Sequence, residues 1–445
     1  MSIGPEDPDQ TIALCKESLA KNPKNVAART RLGLTYMKKG MDDQAIKEFT
    51  EVIRVDSRHV EANYALGIAY ADKGMLDQAL DQWKRVVRLD KNHSKARYFM
   101  GQVYWLKGMW DAALMEQKRA LELEPYNPRI HLALGNVLLA KGMREEAIQA
   151  WERVLSLKPD DPDALKNIPA TYLAIGKYDE AISESKKALG IVQDPGIRLI
   201  VNNTLGFTYL TKGDYDSAHG VYKDLVEKHP GNPDLKVVFG EVLSVKGDAK
   251  GAREQWLKAI EIQPENTSAI YDLGLGLAQE GKLDEALEHW KRVLALDPKH
   301  VNSRRNIAAV SMIRGNLDVA IEEWRAIVAV NDKDPEAHAL LGEVYVKAGK
   351  LPEAAWSAKQ SLDLFPQYPR ALVLSGIVHL KNGRHGEAAV EWGKALDADP
   401  NFGLLVANTA KDLISKDEAD AVEKAALASG HEIEQRAVKT IKSIL

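Results

Sequence analysis

Residues 60–93 read VEANYALGIAYADKGMLDQALDQWKRVVRLDKNH, and residues 94–127 read SKARYFMGQVYWLKGMWDAALMEQKRALELEPYN. The two stretches align without a gap, and the same small residues recur in them 34 residues apart. Three pairs show this spacing: Gly67 and Gly101, Gly74 and Gly108, and Ala79 and Ala113. A fixed period of about 34 residues is typical of repeat proteins, in which each unit packs on the next.

When units are numbered from Val26, eleven of them fill residues 26–402, with one insertion of three residues. Position 15 is glycine and position 20 is alanine in all eleven; position 24 is aromatic in eight and position 32 is proline in seven. Apolar residues at helical spacing fill positions 1–14 and 18–31. The glycine tolerates the left-handed conformation that ends a helix, and the proline cannot continue one. The pattern therefore predicts two helices per unit.

These positions resemble the tetratricopeptide repeat (TPR) pattern, which runs Leu-Gly-x2-Tyr, then Ala-x3-Phe, then Pro. The resemblance extends over 377 of the 445 residues. It implies an all-α fold, a right-handed α-solenoid (superhelix) of stacked helix-turn-helix units, because one hairpin cannot bury its own apolar face. The tryptophan expected at position 4 is absent, and the first four units have Arg29, Asn63, Arg97 and His131 there instead.

The repeat register predicts five segments along the chain. Residues 1–25 form an N-terminal half-repeat with a helix over 11–20, residues 26–195 form units one to five, 196–198 are an insertion and possible hinge, 199–402 form units six to eleven, and 403–445 are capping helices. Pro169 lies inside the first helix of unit five and predicts a kink, with a tolerated local irregularity as the alternative. We expect the last helix, residues 431–445, to dock on the preceding repeat rather than to contact a membrane or partner.

Composition excludes several classes of protein. Lys and Arg total 60 and Asp and Glu total 64, for a formal charge of −4, so we expect no nucleic acid partner. The sequence contains no run of about 20 apolar residues, so it predicts no transmembrane segment. The N-terminus has neither the basic nor the apolar region of an export signal, and Cys15 is the single cysteine, so we expect a cytoplasmic protein.

No motif predicts a reaction centre. His59, His93 and His300 all occupy position 34, in the loops between units, where they are too far apart to share a zinc ion. Six of the nine tryptophans occupy position 24, which indicates core packing rather than a ligand site. We therefore expect no catalytic residue, no cofactor and no metal, and we expect that the protein is not an enzyme.

The TPR resemblance implies a binding groove, because in that family the first helices line a concave channel through positions 2, 5, 9 and 12. In this chain those positions hold aromatic residues flanked by charge, as in peptide-binding hot spots. Trp105 matters most because position 12 is not a core position, although packing on Met37 or Leu139 is an alternative. The predicted groove residues are Glu61, Tyr64, Ile68, Lys95, Tyr98, Gln102, Trp105, Arg129, Asn136 and Lys166.

The predicted function is a non-catalytic scaffold or adaptor for protein-protein interaction, which binds partner peptides or proteins in this groove. The alternative is an assembly factor or structural subunit of a multi-protein enzyme complex. Groove charge is mainly basic in the first five units and mainly acidic later, which favours a partner of matching polarity or reflects a solvated polar face. No three consecutive units carry the Lys/Asn/Arg clamp with which some TPR proteins hold a C-terminal carboxylate. The sequence does not indicate an oligomeric state.

Overall fold

A computed structural model describes residues 7–399, 401–409 and 413–445, and these ranges contain helices and turns without a strand. The chain is the α-solenoid of paired helices that the repeat predicts. It divides into two compact units between Leu225 and Val226. No helix within the described ranges is long and apolar enough to cross a membrane.

In each of the first five repeats, a first helix of 13 residues is followed by a second helix of 14 residues. The helices that begin in the first compact unit are α1 Pro8–Lys21, α2 Val26–Lys38, α3 Asp42–Val55, α4 Val60–Asp72, α5 Leu76–Leu89, α6 Ser94–Leu106, α7 Trp110–Leu123, α8 Pro128–Ala140, α9 Arg144–Leu157, α10 Pro162–Ala174, α11 Tyr178–Ile191, α12 Pro195–Lys212 and α13 Tyr215–Lys228. The division between the units lies inside α13.

The second compact unit continues the alternation and ends in three helices outside the regular repeats. Its helices are α14 Pro233–Val245, α15 Ala249–Ile262, α16 Thr267–Gln279, α17 Leu283–Leu296, α18 Val301–Ile313, α19 Leu317–Val330, α20 Pro335–Lys347, α21 Leu351–Leu364, α22 Pro369–Lys381, α23 His385–Ala398, α24 Phe402–Thr409, α25 Lys416–Ser429 and α26 Glu432–Ile444.

The glycine at position 15 ends the first helix of every repeat, as predicted. Its φ is positive in all eleven repeats, for example 70° at Gly108 and 86° at Gly213, where any other residue would be strained. The next residue then bonds back into the helix: the Met109 amide donates to the carbonyl oxygen of Tyr104 at 2.8 Å. This closure turns the chain sharply enough for the second helix to pack on the first.

Positions 8, 20 and 24 form the core of each repeat. The alanine at position 20 is completely buried in all eleven repeats. Trp83 at position 24 is 1% exposed and lies over Gly67, where an added Cβ would approach the indole Nε1 to 2.3 Å. The same Nε1 donates to the carbonyl oxygen of Tyr64 at 3.2 Å. The prediction that the position-24 tryptophans are core is confirmed, since all six are at most 4% exposed.

The polar residues at position 4, where the TPR pattern expects tryptophan, anchor the preceding loop. Arg97 donates to the carbonyl oxygen of Lys91 at 3.0 Å. It also pairs with Glu116 at 3.0 Å, and the two paired side chains are 9% and 6% exposed. His131 Nε2 lies 2.9 Å from the carbonyl oxygen of Pro125. In these two repeats, position 4 therefore fixes the preceding loop by hydrogen bonds instead of by aromatic packing.

The three inserted residues, 196–198, belong to the first turn of α12, which has 18 residues. The Asp194 side chain caps this helix ahead of them by accepting from the Ile197 amide. Arg198 then donates to the carbonyl oxygens of Leu189 and Val192, at 2.8 and 2.7 Å.

Pro169 lies inside α10, which continues through it as one helix. The kink and the hinge stay predictions.

Both ends of the chain have helices where the sequence predicts them. Helix α1 contains the predicted segment 11–20, and its Cys15 is 5% exposed. Helix α26 packs against α23 and α25, with Ala437, Val438 and Ile441 completely buried, so the last helix docks on the preceding repeat as expected. Residues 1–6, Pro400 and 410–412 lie outside the described residues. Pro400 is the position-32 proline of unit eleven.

Candidate peptide-binding groove

The predicted groove residues lie on the first helices α4, α6, α8 and α10 of the first compact unit. Four of them line one cavity of about 220 Å³, at the N-terminal ends of α6 and α8. These four are Tyr64, Lys95, Tyr98 and Arg129. The other six predicted residues do not line this cavity: Glu61, Ile68, Gln102, Trp105, Asn136 and Lys166.

Aromatic rings build the wall of the cavity. Phe99 stacks on the core residue Trp83 with the ring centroids 5.4 Å apart, and Tyr98 meets Phe99 edge-on at 5.2 Å. Tyr64 lies 6.2 Å from Phe99 and 4.7 Å from the ring of His93. Burial raises the pKa of Tyr64 and lowers that of His93, so both rings are held neutral near pH 7. The wall is thus continuous with the buried core, which limits its freedom to move.

The two cations of the cavity are free. Lys95 and Arg129 are exposed, and neither side chain forms an ion pair or hydrogen bond with any residue that the structure describes. Lys166, the third predicted cation of this face, is instead paired with Asp163 at 2.5 Å. The positive charge available to a ligand is therefore concentrated at the cavity.

Sequence reasoning missed the residues that complete the cavity, which are Ser94, Phe99, Glu124, Asn127 and Ile130. Asn127 caps α8 by accepting from the Arg129 amide, and its Nδ2 donates to Glu124 at 2.6 Å. A signal was present for Phe99, since it is the one aromatic residue at position 6 among the eleven units. Glu124 and Asn127 belong to the loop between units, whose course no helical period predicts.

Two further predicted residues present polar amides without partners. Gln102 and Asn136 occupy position 9 on α6 and α8, are partly exposed, and make no side-chain hydrogen bond within the described ranges. Trp105 is 37% exposed, so its ring remains accessible at the end of α6. Ile68 is half-buried and packs against the core of its repeat.

The loop histidines have a structural role. His59, His93 and His300 each cap a first helix, with Nδ1 accepting an amide from three residues further along at 3.1 to 3.2 Å. Their shared position 34 is thus explained by helix capping, the role that Asn or Asp plays in other repeats. Across the described ranges, no three His, Cys, Asp or Glu residues are grouped as a metal site.

On the first helices of the second compact unit, several charged side chains at the groove positions pair with one another. Arg370 on α22 makes a two-pronged ion pair with Glu343 on α20, at 2.6 and 3.0 Å, and the Glu343 side chain is 7% exposed. Arg305 lies 3.9 Å from Glu336. Burial raises the pKa of Glu343 despite the favourable effect of Arg370. Two of the four acidic residues predicted for this face, Glu336 and Glu343, therefore lie beside a cation.

Three carboxyl groups of that face have no ion pair with any described residue: those of Asp234, Glu241 and Asp272. Burial raises the pKa of Asp272 to about 7, and the neighbouring charge of Glu241 contributes to the same rise. Burial also raises the pKa of Glu241. Asp272 is therefore partly protonated near neutral pH, whereas an ordinary aspartate is fully ionised there.

Several solved structures are similar to parts or most of this chain. MamA has 31% identity over 36% of this chain and 93% of that chain (TM-score 0.35). YrrB, a TPR protein with an unusual peptide-binding site, has 22% identity over 42% of this chain and 95% of its own (TM-score 0.38). Yeast Tom70 has 13% identity over 93% of this chain and 97% of its own (TM-score 0.45). No curated protein matches the chain.

Two family models described as tetratricopeptide repeat match the sequence. One matches residues 30–83, 64–128, 204–267 and 339–401, and the other matches residues 3–56, 104–168 and 277–344. The first alone spans about half of the chain, and the second fills most of the intervals that it leaves. The chain belongs to the tetratricopeptide repeat family.

Proposed function

We propose that this protein is a non-catalytic scaffold that binds a peptide segment of a partner protein on the first helices of units two to four. One observation supports this proposal above the others: Tyr64, Tyr98, Lys95 and Arg129 converge on a single cavity. A cavity with aromatic walls and charged edges resembles the hot spots of protein interfaces.

The polar groups beside the cavity suit an extended peptide. Gln102 and Asn136 each offer a carbonyl oxygen and an NH2 group that no described residue occupies, so they can bind the peptide's own amides. Trp105 adds an accessible ring at the C-terminal end of α6. The non-catalytic part of the proposal rests on the TPR family, whose stacked units present extended binding surfaces.

A random peptide library displayed against the full-length chain tests the proposal. We expect selected peptides to bind the wild-type chain and to bind Tyr98→Ala at least about tenfold more weakly, as for loss of an aromatic hot spot. Trp110→Ala is the control, since Trp110 is 45% exposed but lies outside the groove positions. Failure to select any peptide, or equal sensitivity of the two variants, would count against the groove as the binding site.

A further inference from the structure

We propose that the cavity between α4, α6 and α8 takes an acidic peptide segment: one large apolar side chain enters between Tyr64, Tyr98 and Phe99, and two carboxylates bind Lys95 and Arg129. This inference rests on the proposed function and specifies the chemistry of its partner.

The cavity has the size of a large apolar side chain. Cavities of about 150 Å³ lined by apolar groups accept benzene, and this one measures about 220 Å³. Its floor includes Ile130, which is 2% exposed, and its wall includes Phe99 stacked on Trp83. A phenyl or isobutyl group that enters therefore exchanges water for a rigid apolar surface.

The charge around the cavity favours carboxylates. Lys95 and Arg129 are the cations that line it, and both are free of ion pairs in the described part of the chain. Glu124 is the single acid among the lining residues, and one of its oxygens is already occupied by the Asn127 amide. Position 2 of the two outer repeats holds Glu61 and Asp163, and Asp163 is neutralised by Lys166. Among the residues that line the cavity, the two cations therefore outnumber the single acid.

The repeat spacing defines the spacing of the two carboxylates. Lys95 and Arg129 occupy position 2 of adjacent first helices, whose axes lie roughly 10 Å apart. An extended peptide in the polyproline II conformation advances about 9 Å in three residues and returns to the same face. Acidic residues at i and i+3, with the apolar residue between them, therefore match the two cations.

A defined probe tests this inference. The probe is acetyl-Gly-Glu-Phe-Ala-Glu-Gly-amide, labelled with a fluorophore, and its capped ends remove both terminal charges. Its binding to the full-length chain is measured by fluorescence anisotropy at low and at physiological salt. We expect the probe to bind the wild-type chain. Its affinity should fall about tenfold when its Phe is replaced by Ser or both of its Glu residues by Gln, and also when the protein carries Lys95→Glu/Arg129→Glu.

The matched control is Lys118→Glu/Arg119→Glu. Lys118 and Arg119 are exposed, have no ion pair with any described residue and lie on α7, outside the cavity. This control changes the net charge by the same amount, so we expect it to leave probe binding within about twofold. Equal loss in both variants would show a general charge effect and overturn the inference.

Other outcomes separate the inference from the proposed function. Library peptides that depend on Tyr98 but are basic or neutral would overturn the acidic chemistry while supporting groove binding. Binding only of a probe with a free C-terminal carboxylate would assign the cations to a chain terminus and also overturn the inference. A single-stranded oligonucleotide that binds through Lys95 and Arg129 where the peptide does not would have the same consequence.

Discussion

Lys95 and Arg129 in the first compact unit occupy the same repeat position as Arg370 in the second, yet the first two are free and the third is paired. The reason lies at position 9 of the preceding repeat. There the second unit has Glu343, whereas the first has Ile68 and Gln102. A cation at position 2 is thus neutralised by a carboxylate at position 9 of the repeat before it, or else remains available to a ligand.

The converse arrangement explains the unpaired acids of the second unit. Glu241 occupies position 9, but position 2 of the next repeat is Ser268, so no cation meets it. Its neighbour Asp272 therefore has a raised pKa instead of an ion pair.

Arg370→Ala is expected to destabilise the second unit by about 3 kcal/mol, because it leaves Glu343 buried without a partner. Lys95→Ala should change stability by less than about 0.5 kcal/mol, since Lys95 has no ion pair. Urea denaturation followed by circular dichroism measures both. Glu343→Gln with Arg370→Ala should recover much of the loss, and similar effects of Arg370→Ala and Lys95→Ala would contradict the comparison.

Asp272→Asn is expected to stabilise the protein at high pH. The folded pKa of about 7 lies above the ordinary value of 3.8, so the folded state retains a proton that the unfolded state releases. The resulting penalty is absent below about pH 4, grows between pH 4 and 7, and is complete above pH 7. The full shift corresponds to about 4 kcal/mol, and partial exposure of the side chain reduces the expected gain of the variant to about 2 kcal/mol at pH 8. No gain is expected at pH 4, and thermal melts at the two pH values measure the difference. An equal gain at both pH values would exclude titration of Asp272 as the cause.

Gln102→Glu places in the first unit the carboxylate that the second unit has at position 9. It should pair with Arg129 and change stability by less than about 1 kcal/mol, because that site is partly exposed. Binding of the acidic probe should fall about tenfold, with recovery of part of the loss at high salt. Gln149→Glu on α9 adds the same charge at an exposed site outside the cavity and tests for a general charge effect. An undiminished affinity of Gln102→Glu would show that Arg129 does not bind the probe.

Trp105→Ala is expected to leave the melting midpoint almost unchanged and to weaken peptide capture. The ring is 37% exposed at position 12, in contrast to Trp83, which is 1% exposed at position 24. Trp83→Ala should cost about 3 to 5 kcal/mol as a buried tryptophan. A comparable loss of stability in Trp105→Ala would place its ring in the core.

The repeat architecture was readable in the sequence because its determinants are local. Gly108 requires its left-handed conformation whatever surrounds it, and Trp83 follows the helical period that buries it. The role of Arg97 was not readable, since nothing in the period places Glu116 and the Lys91 carbonyl around it. The capping bond of His93 is not evident from the repeat period either, since it depends on the loop that ends at His93.

The candidate site was readable only in part for the same reason. Tyr64, Lys95, Tyr98 and Arg129 follow from positions 2 and 5, but their closure by the loop residues that precede α8 depends on how that loop returns to the next repeat. Whether Lys166 is free also depends on a rotamer, since its amine reaches the Asp163 carboxylate about one turn earlier.

The helix pairs, their ends and the buried positions follow from the amino-acid sequence alone, because each depends on residues within one repeat and its neighbour. Which charged side chains are neutralised and which are open to a ligand follows instead from the tertiary packing. That outcome depends on distances of a few ångströms between side chains of different helices, and the Coulomb energy and desolvation of an ion pair change steeply over such distances.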